Sequence, residues 1–259
     1  MKTLVLGDIH GRTCWWDIIQ AENPDKIIFL GDYVSTHDPE VCADQQCANL
    51  EDILNFKEGF GDNCILLRGN HDMQHLGYSW AECSGLDRNV QRWMTGIRDR
   101  FLKLTQWVHV DGDIVYSHAG VSEVWMKNVG LDNVLDINKL EPSEKFGFWP
   151  CKLSDYSGDS ATQPPTWIRP WTLLMNSFGK YTYIVGHTFT SYHSPRVYNV
   201  KDETIKGYKA SYLYDDNDKD CQRTIEEYKR VNEVWVADAL PREYIIVEDG
   251  EVVPVKSIV

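Results

Sequence analysis

The stretch Leu4-Val5-Leu6-Gly7-Asp8-Ile9-His10-Gly11 runs from a short apolar segment into a small-residue turn carrying a carboxylate and an imidazole. The same break recurs downstream. Ile27-Ile28-Phe29-Leu30 enters Gly31-Asp32-Tyr33, and Ile65-Leu66-Leu67 enters Arg68-Gly69-Asn70-His71-Asp72. Ile114-Val115-Tyr116 enters Ser117-His118-Ala119-Gly120, and Tyr183-Ile184-Val185 enters Gly186-His187-Thr188. Short continuous apolar segments read as strands buried on both faces. α/β enzymes place their chemistry in the loops at the carboxyl ends of such strands. Two carboxylates, three imidazoles and one carboxamide should therefore meet on one rim. That gathering predicts a site for two metal ions.

Around these loops the first third alternates strand 2–6, helix 13–21, strand 26–30, helix 41–57 and strand 63–67. This βαβαβ order implies parallel neighbours joined by right-handed crossovers. Over 87–104, Val90, Trp93, Met94, Ile97, Phe101 and Leu104 fall at amphipathic spacing and predict one helix. Gln106-Trp107-Val108-His109-Val110 and Ile114-Val115-Tyr116 flank Asp111-Gly112, a hairpin signal that turns the sheet antiparallel. Residues 152–170, rich in Ser, Gly, Asp and Pro, read as an irregular insertion over the site. Strands expected at 195–200, 209–214, 233–238, 243–247 and 251–255 suggest a second sheet packed on the first.

At 259 residues the chain is long enough to bury a real core as one large domain. A formal net charge of -13 disfavours stable nucleic-acid or anionic-membrane binding, because Lys and Arg hold phosphate polymers. Bound cations would reverse that field locally. Ten tryptophans predict several aromatic-walled surfaces or clefts. No leader pattern precedes the strand at Lys2, and no apolar stretch approaches the ~18 residues of a membrane span, so cytoplasmic residence is expected. The cysteines at 14, 42, 47, 64, 83, 151 and 221 form no C-x-x-C pair and read as reduced structural thiols.

The chemistry follows from the residue types. Asp8 and His10, two apart, share one side of an extended backbone. Asp32 supplies the one common side chain able to bridge two cations, Asn70 a neutral amide oxygen, and His118 and His187 imidazole nitrogens. A mixed N/O set without thiolate suits manganese first, with iron or zinc as alternatives. Two such ions ~3.5–4 Å apart would clamp a phosphoryl group and turn a bound water into a nucleophile. His71 is placed to protonate the leaving oxygen.

Gly7-Asp8-Ile9-His10-Gly11, Gly31-Asp32-Tyr33-Val34, Arg68-Gly69-Asn70-His71-Asp72, Ser117-His118-Ala119-Gly120 and Gly186-His187-Thr188 resemble, in order and spacing, the five blocks of the calcineurin-like metallophosphoesterases. Gly11 and Thr188 look more like the phosphoprotein-phosphatase branch, which includes small bacterial and phage enzymes and symmetrical dinucleoside tetraphosphatases. The resemblance implies that Asp8 and His10 hold one metal, that Asn70, His118 and His187 hold the other, and that Asp32 bridges. It also implies His71 as general acid. Trp167-Ile168-Arg169 is similar to an element of the bacterial branch whose Arg contacts phosphate, a task suited to a planar guanidinium fork. One block departs from the pattern. Ser35-Thr36-His37 stand where the branch continues with Asp-Arg-Gly, an Asp that orients the catalytic His and an Arg that binds phosphate. Asp72 or Asp38 is a candidate replacement for the first, Arg12 for the second.

The implied architecture is a four-layered α-β-β-α sandwich of two mixed sheets, in a single domain over 1–259. The implied activity is phosphomonoester hydrolysis by a metal-bridging hydroxide, with phosphoserine or phosphothreonine in a protein as leading substrate. A dinucleoside polyphosphate or other nucleotide is the alternative. Phosphodiesterase or nuclease action is disfavoured by the acidic charge and by the absence of a second His shortly after His187, where Thr188 and Phe189 follow. A non-catalytic scaffold is disfavoured because all six ligands and His71 remain.

Bland readings apply elsewhere. Arg68 pins its own loop, and His37, His75, His109 and His193 are structural. Arg169 competes with a stacking role beside Pro170 and Trp171. Asp216, Asp218, Asp220 and Glu227 imitate a calcium loop, but Cys221 stands where its sharp turn needs Gly, so a solvated acidic turn is expected.

Overall fold

Side chains of the strand Lys2–Leu6 (β1) alternate between two apolar environments, Leu4 and Leu6 in one cluster and Val5 in another. β2 (Lys26–Phe29) and β3 (Cys64–Leu67) do the same: Ile28 and Ile65 join Val5, whereas Ile27, Phe29 and Leu66 join Leu4. Successive strand residues point to opposite faces, so a strand apolar throughout must be covered on both. Each such side chain contributes about 1.5–3 kcal/mol on burial. The computed structural model describes residues 1–36, 38–142, 148, 160–188, 196–198, 233–237 and 243–257.

Two mixed sheets provide that cover. β4 (Thr105–Gln106) extends the parallel trio beyond β3. The second sheet holds β5 (Val108–Asp111), β6 (Ile114–Ser117), β7 (Thr182–Val185), β8 (Arg196–Tyr198) and β9 (Val234–Val236), in the order β5-β6-β7-β9-β8. Ile114, Tyr116 and Ile184 from this sheet share the cluster of Val5 and Ile28, so the two sheets lie face to face. Helices cover the outer faces. α1 (Cys14–Glu22) and α2 (Ala43–Phe60) pack on β1 and β3, adding Trp15, Ile18, Leu50, Ile53 and Leu54 to the core. Beyond the short α3 (Asn70–His75), α4 (Arg88–Gly96) and α5 (Arg98–Leu104) lie against α2. On the far side, α6 (Glu123–Val129) buries Trp125 and Met126, and α7 (Pro170–Asn176) packs on β8 and β9. The result is the four-layered α-β-β-α sandwich.

Several expectations need correction. The helix expected over 87–104 is two. Ile97, at φ -106° and ψ 11°, ends α4 and begins α5. Gly96 and Thr95, whose hydroxyl donates back to the Gln91 carbonyl at 2.7 Å, weaken the helix there. The strand expected over 106–110 divides at Trp107 and changes sheets. Trp107 is buried against Phe148, ring centroids 4.2 Å apart, and Asn138 Oδ1 accepts from both the Trp107 and Val108 N–H groups. The hairpin loop is Gly112-Asp113, because Asp111 pairs with Ile114. Finally, β10 (Glu243–Glu248) and β11 (Glu251–Lys256) do not build the second sheet. They return to the first, β10 antiparallel beside β1, giving the order β11-β10-β1-β2-β3-β4.

Tryptophan serves the core more than clefts. Trp15, Trp80, Trp107, Trp125 and Trp167 are buried, and Trp16 is exposed. Cys14, Cys42, Cys47, Cys64 and Cys83 are free thiols. Among the described residues no helix is long and apolar enough to cross a membrane. The strand expected at 209–214, the acidic turn at 216–227, His37, His193 and most of the expected insertion lie outside the described residues. Residues 160–170 are described and mostly buried: Pro165 O accepts from the Ala119 N–H at 2.7 Å, which fastens this segment beneath the His118 loop.

Candidate metal centre

Every predicted site loop begins where a strand ends. Asp8 and His10 follow β1, Asp32 follows β2, Asn70 and His71 open α3 after β3, His118 follows β6 and His187 follows β7. Backbone bonds lock these loops together. The His10 N–H donates to Asp32 O at 2.7 Å, and Gly186 N–H to His118 O at 2.8 Å. The His187 N–H lies 3.0 Å from both Asp8 carboxylate oxygens, tying the edges of the two sheets. His10, Asp32 and His187 hold left-handed φ values of 46°, 50° and 62°. Such backbones cost non-glycine residues about 1 kcal/mol or more, and they cluster at functional sites. Two glycines make room for the carboxylates: a Cβ on Gly69 would collide with Asp32, and one on Gly186 with Asp8.

Among the described residues, two groups of side chains that could hold a cation emerge, Asp8–His10–Asp32 and Asp32–His118–His187, with ligand atoms within 4.8 Å of one another in each. They share Asp32. The hydrogen positions follow from the partners. His118 Nδ1 lies 2.9 Å from the Leu30 carbonyl, which only accepts, so Nδ1 carries the hydrogen. Burial lowers the His118 pKa to about 3, and the ring is neutral. Its Nε2 is then a bare lone pair, yet it faces Asn70 Oδ1 at 2.9 Å and Asp32 Oδ2 at 3.4 Å, both acceptors. Acceptors facing acceptors is the donor set of a cation site. His10 repeats the pattern, with Nδ1 3.0 Å from Val34 O and Nε2 3.9 Å from Asp8 Oδ2. A backbone carbonyl on the far nitrogen fixes the tautomer of a metal-binding imidazole. His187 Nδ1 is 2.9 Å from Asn70 Oδ1. Burial, with the positive charge of Arg169, pushes its pKa well below the usual histidine range. The residues fit a pair of divalent ions.

His71 stands beside this cluster. Its N–H donates to Asp32 Oδ1 at 2.9 Å, its ring meets His10 edge-on at 5.3 Å, and its Nε2 is 4.0 Å from Asp32 Oδ2. Neither carboxylate offered as its orienting partner is brought to the ring. Asp72 is buried and accepts from the N–H groups of Asp32, Tyr33 and Gly69 at 2.8–2.9 Å, clamping the second loop to the third. Burial raises its pKa to about 7 against the pull of those backbone donors. Asp38 caps its own turn, accepting from Glu40 N at 2.9 Å. Beside His71 Nδ1 lies the sulfur of Cys83, at 3.5 Å. Burial raises that thiol to about 12, so it keeps its hydrogen. Sequence spacing gave no sign of Cys83, twelve residues beyond His71.

Among the arginines, Arg169 Nη1 donates to His187 O and Thr188 Oγ1, both at 3.3 Å, which sets it at the rim of the cluster. Trp167 packs on the His187 ring at 5.4 Å. Arg12 turns to its own loop, Nη1 donating to Asp8 O at 3.1 Å. Arg68 is structural: it donates to Leu102 O and Thr105 O at 2.8 Å and lies 4.6 Å over the Trp107 ring.

Two facing mixed sheets, with carboxylates and imidazoles gathered about one shared aspartate on their common edge, define a metallophosphoesterase-type domain. Residues 1–189 match the calcineurin-like phosphoesterases, and the chain belongs to that family. Among characterised relatives, it is 23% identical over 167 residues to a symmetrical bis(5'-nucleosyl)-tetraphosphatase of Enterobacter sp., covering 58% of this chain and 54% of that protein. The Salmonella arizonae counterpart is 24% identical with the same coverage. The chain thus spans about half the length of the curated relatives it matches. Among solved structures, a cold-active protein-tyrosine phosphatase of a psychrophilic Shewanella aligns with TM-score 0.55 at 16% identity, over 98% of this chain and 77% of that one. A protein serine/threonine phosphatase from Saccharomyces cerevisiae aligns with TM-score 0.54 at 14% identity, over 100% and 80%. These likenesses establish the shared fold.

Proposed function

We propose that the chain is a manganese-dependent phosphatase that hydrolyses phosphomonoesters, with phosphoserine or phosphothreonine in a protein as its substrate. One observation carries the reading. The bare Nε2 of His118 faces two further acceptors, Asn70 Oδ1 and Asp32 Oδ2, an arrangement that a cation between them would stabilise. In this reading Asp8 and His10 hold one ion, Asn70, His118 and His187 the other, and Asp32 both. When bound, such a pair polarises phosphoryl oxygens and lowers the pKa of water.

The chain's own residues do the rest. The Val34 and Leu30 carbonyls orient His10 and His118 through their Nδ1 hydrogens. The His187 N–H holds the Asp8 carboxylate. Arg169 grips a phosphate oxygen from the rim, where its charge adds to burial in keeping His187 neutral. His71 gives its Nε2 proton to the leaving oxygen as the P–O bond breaks.

A second reading, cleavage of a dinucleoside polyphosphate, is favoured by the likeness to symmetrical bis(5'-nucleosyl)-tetraphosphatases. Stacking of a nucleotide base on aromatic side chains near the site supports it less, since Phe148 and Trp167 are buried. Purified protein with manganese, given phosphopeptides and a dinucleoside tetraphosphate side by side, tests both. Release of phosphate from the peptides is expected. Cleavage of the tetraphosphate alone would replace the first reading with the second, and no turnover of either would overturn both.

A further inference from the structure

We propose that Cys83 is a positioning residue for His71, its sulfur holding the imidazole by Nδ1 so that Nε2 faces the leaving oxygen. This rests on the hydrolase reading above. Where the resembling family carries a carboxylate for the task, the chain has Ser35, and Ser35 is engaged elsewhere. Its hydroxyl donates to Gly85 O at 2.9 Å and its N–H to Gln46 Oε1 at 2.8 Å. Asp72 is held by three backbone N–H groups and Asp38 by its own turn.

The sulfur is built into place rather than merely nearby. Gln74, on α3 with His71, clamps the Cys83 segment with both ends of its amide: Oε1 accepts from Cys83 N at 2.5 Å, and Nε2 donates to Ser84 O at 3.2 Å. The Asn70 side chain hydrogen-bonds the thiol as well, so a single sulfur touches both a proposed ligand and the proposed acid. One turn on, His75 Nδ1 donates to His71 O at 2.8 Å and its Nε2 accepts from Asp87 N at 3.1 Å, fastening the same segment a second time.

A ring held at one nitrogen cannot flip to present the other. With both nitrogens protonated, Nδ1–H points at the sulfur lone pair. The P–O electron pair stays on the leaving oxygen, that oxygen takes the Nε2 proton, and a water oxygen makes the new bond to phosphorus as the water gives up one proton to solvent. His71 is left neutral with Nδ1–H still on the sulfur, and the thiol neither gains nor loses a proton. A neutral thiol differs from a carboxylate here, because it orients the ring without a negative charge beside it.

The test compares Cys83→Ala and Cys83→Ser with the wild-type holoenzyme on an alkyl and an aryl phosphate. A general acid supplies ~10²–10⁴-fold, and it matters most for a poor, alkyl leaving group. Cys83→Ala should lower kcat about 10-fold on the alkyl ester but only about 2-fold on the aryl ester, with KM and manganese content retained. Cys83→Ser, which keeps a polar atom near Nδ1, should recover part of the alkyl loss and stands in should the alanine variant not fold. An equal fall on both esters, or one that follows lost manganese, would make Cys83 merely structural. Unchanged kcat in both variants would likewise overturn the proposal while leaving the hydrolase reading intact. Wild type inactive on both esters would instead remove the reading on which it rests.

Discussion

His118 should make the metal-free protein lose stability as the pH falls. Its folded pKa is about 3, because burial disfavours the charged ring, whereas an unfolded histidine titrates near ~6.5. Below that value the unfolded chain takes up a proton that the folded chain refuses, so stability rises with pH and is lost on acidification. Each pH unit in that window is worth about 1.4 kcal/mol, and the fall from about pH 6.5 to about pH 5 removes about 2 kcal/mol. That is a large share of the ~5–15 kcal/mol by which domains are stable. Asp72 acts with opposite sign. Raised to about 7, it takes its proton in the folded state first and adds stability as the pH falls. The readout is therefore a difference. Urea unfolding of chelator-treated wild type and His118→Asn, repeated across this range, should give stability-versus-pH lines whose slopes differ by about 1.4 kcal/mol per pH unit. Parallel lines would mean that His118 protonates as readily folded as unfolded, and the neutral, lone-pair-bearing ring argued for the cation site would be refuted.

Gly186→Ala should weaken manganese binding about 10- to 100-fold with the fold retained, because the new Cβ displaces the Asp8 carboxylate, as calorimetric titration would register. Arg68→Ala should do the reverse: loss of its bonds to Leu102 O and Thr105 and of the Trp107 face costs about 2–4 kcal/mol in unfolding measurements. Its KM and kcat should stay unchanged in protein that remains folded.

The sequence carried the site more fully than the sheet pairing. Leu4-Val5-Leu6 and its counterparts could be read because a strand buried on both faces must be apolar at every position. The polar residues that follow such runs then stand out. By contrast, the change of sheets at Trp107 depends on Asn138, about thirty residues later, accepting two stray backbone N–H groups. Nothing local to 105–111 encodes it. The return of β10 to β1 pairs residues from opposite ends of the chain, Leu4 with Ile246, and apolar alternation alone does not say which sheet receives them. Asp72 illustrates a subtler limit. Its place beside His71 in sequence suggested contact with the ring, yet the helical turn sends its carboxylate to the backbone of Asp32 and Tyr33. Arg12 likewise folds onto its own loop. In the sequence Cys83 is one more scattered thiol, because only tertiary packing brings it to His71.

Manganese stoichiometry tests the shared role of Asp32 most directly. Metal-free protein titrated in a calorimeter, with bound metal counted by elemental analysis, should take up about two ions per chain, and Asp32→Ala should lose tight binding of both together. Uptake of one ion or none by the wild type, or two retained by the variant, would contradict a paired centre built on that carboxylate.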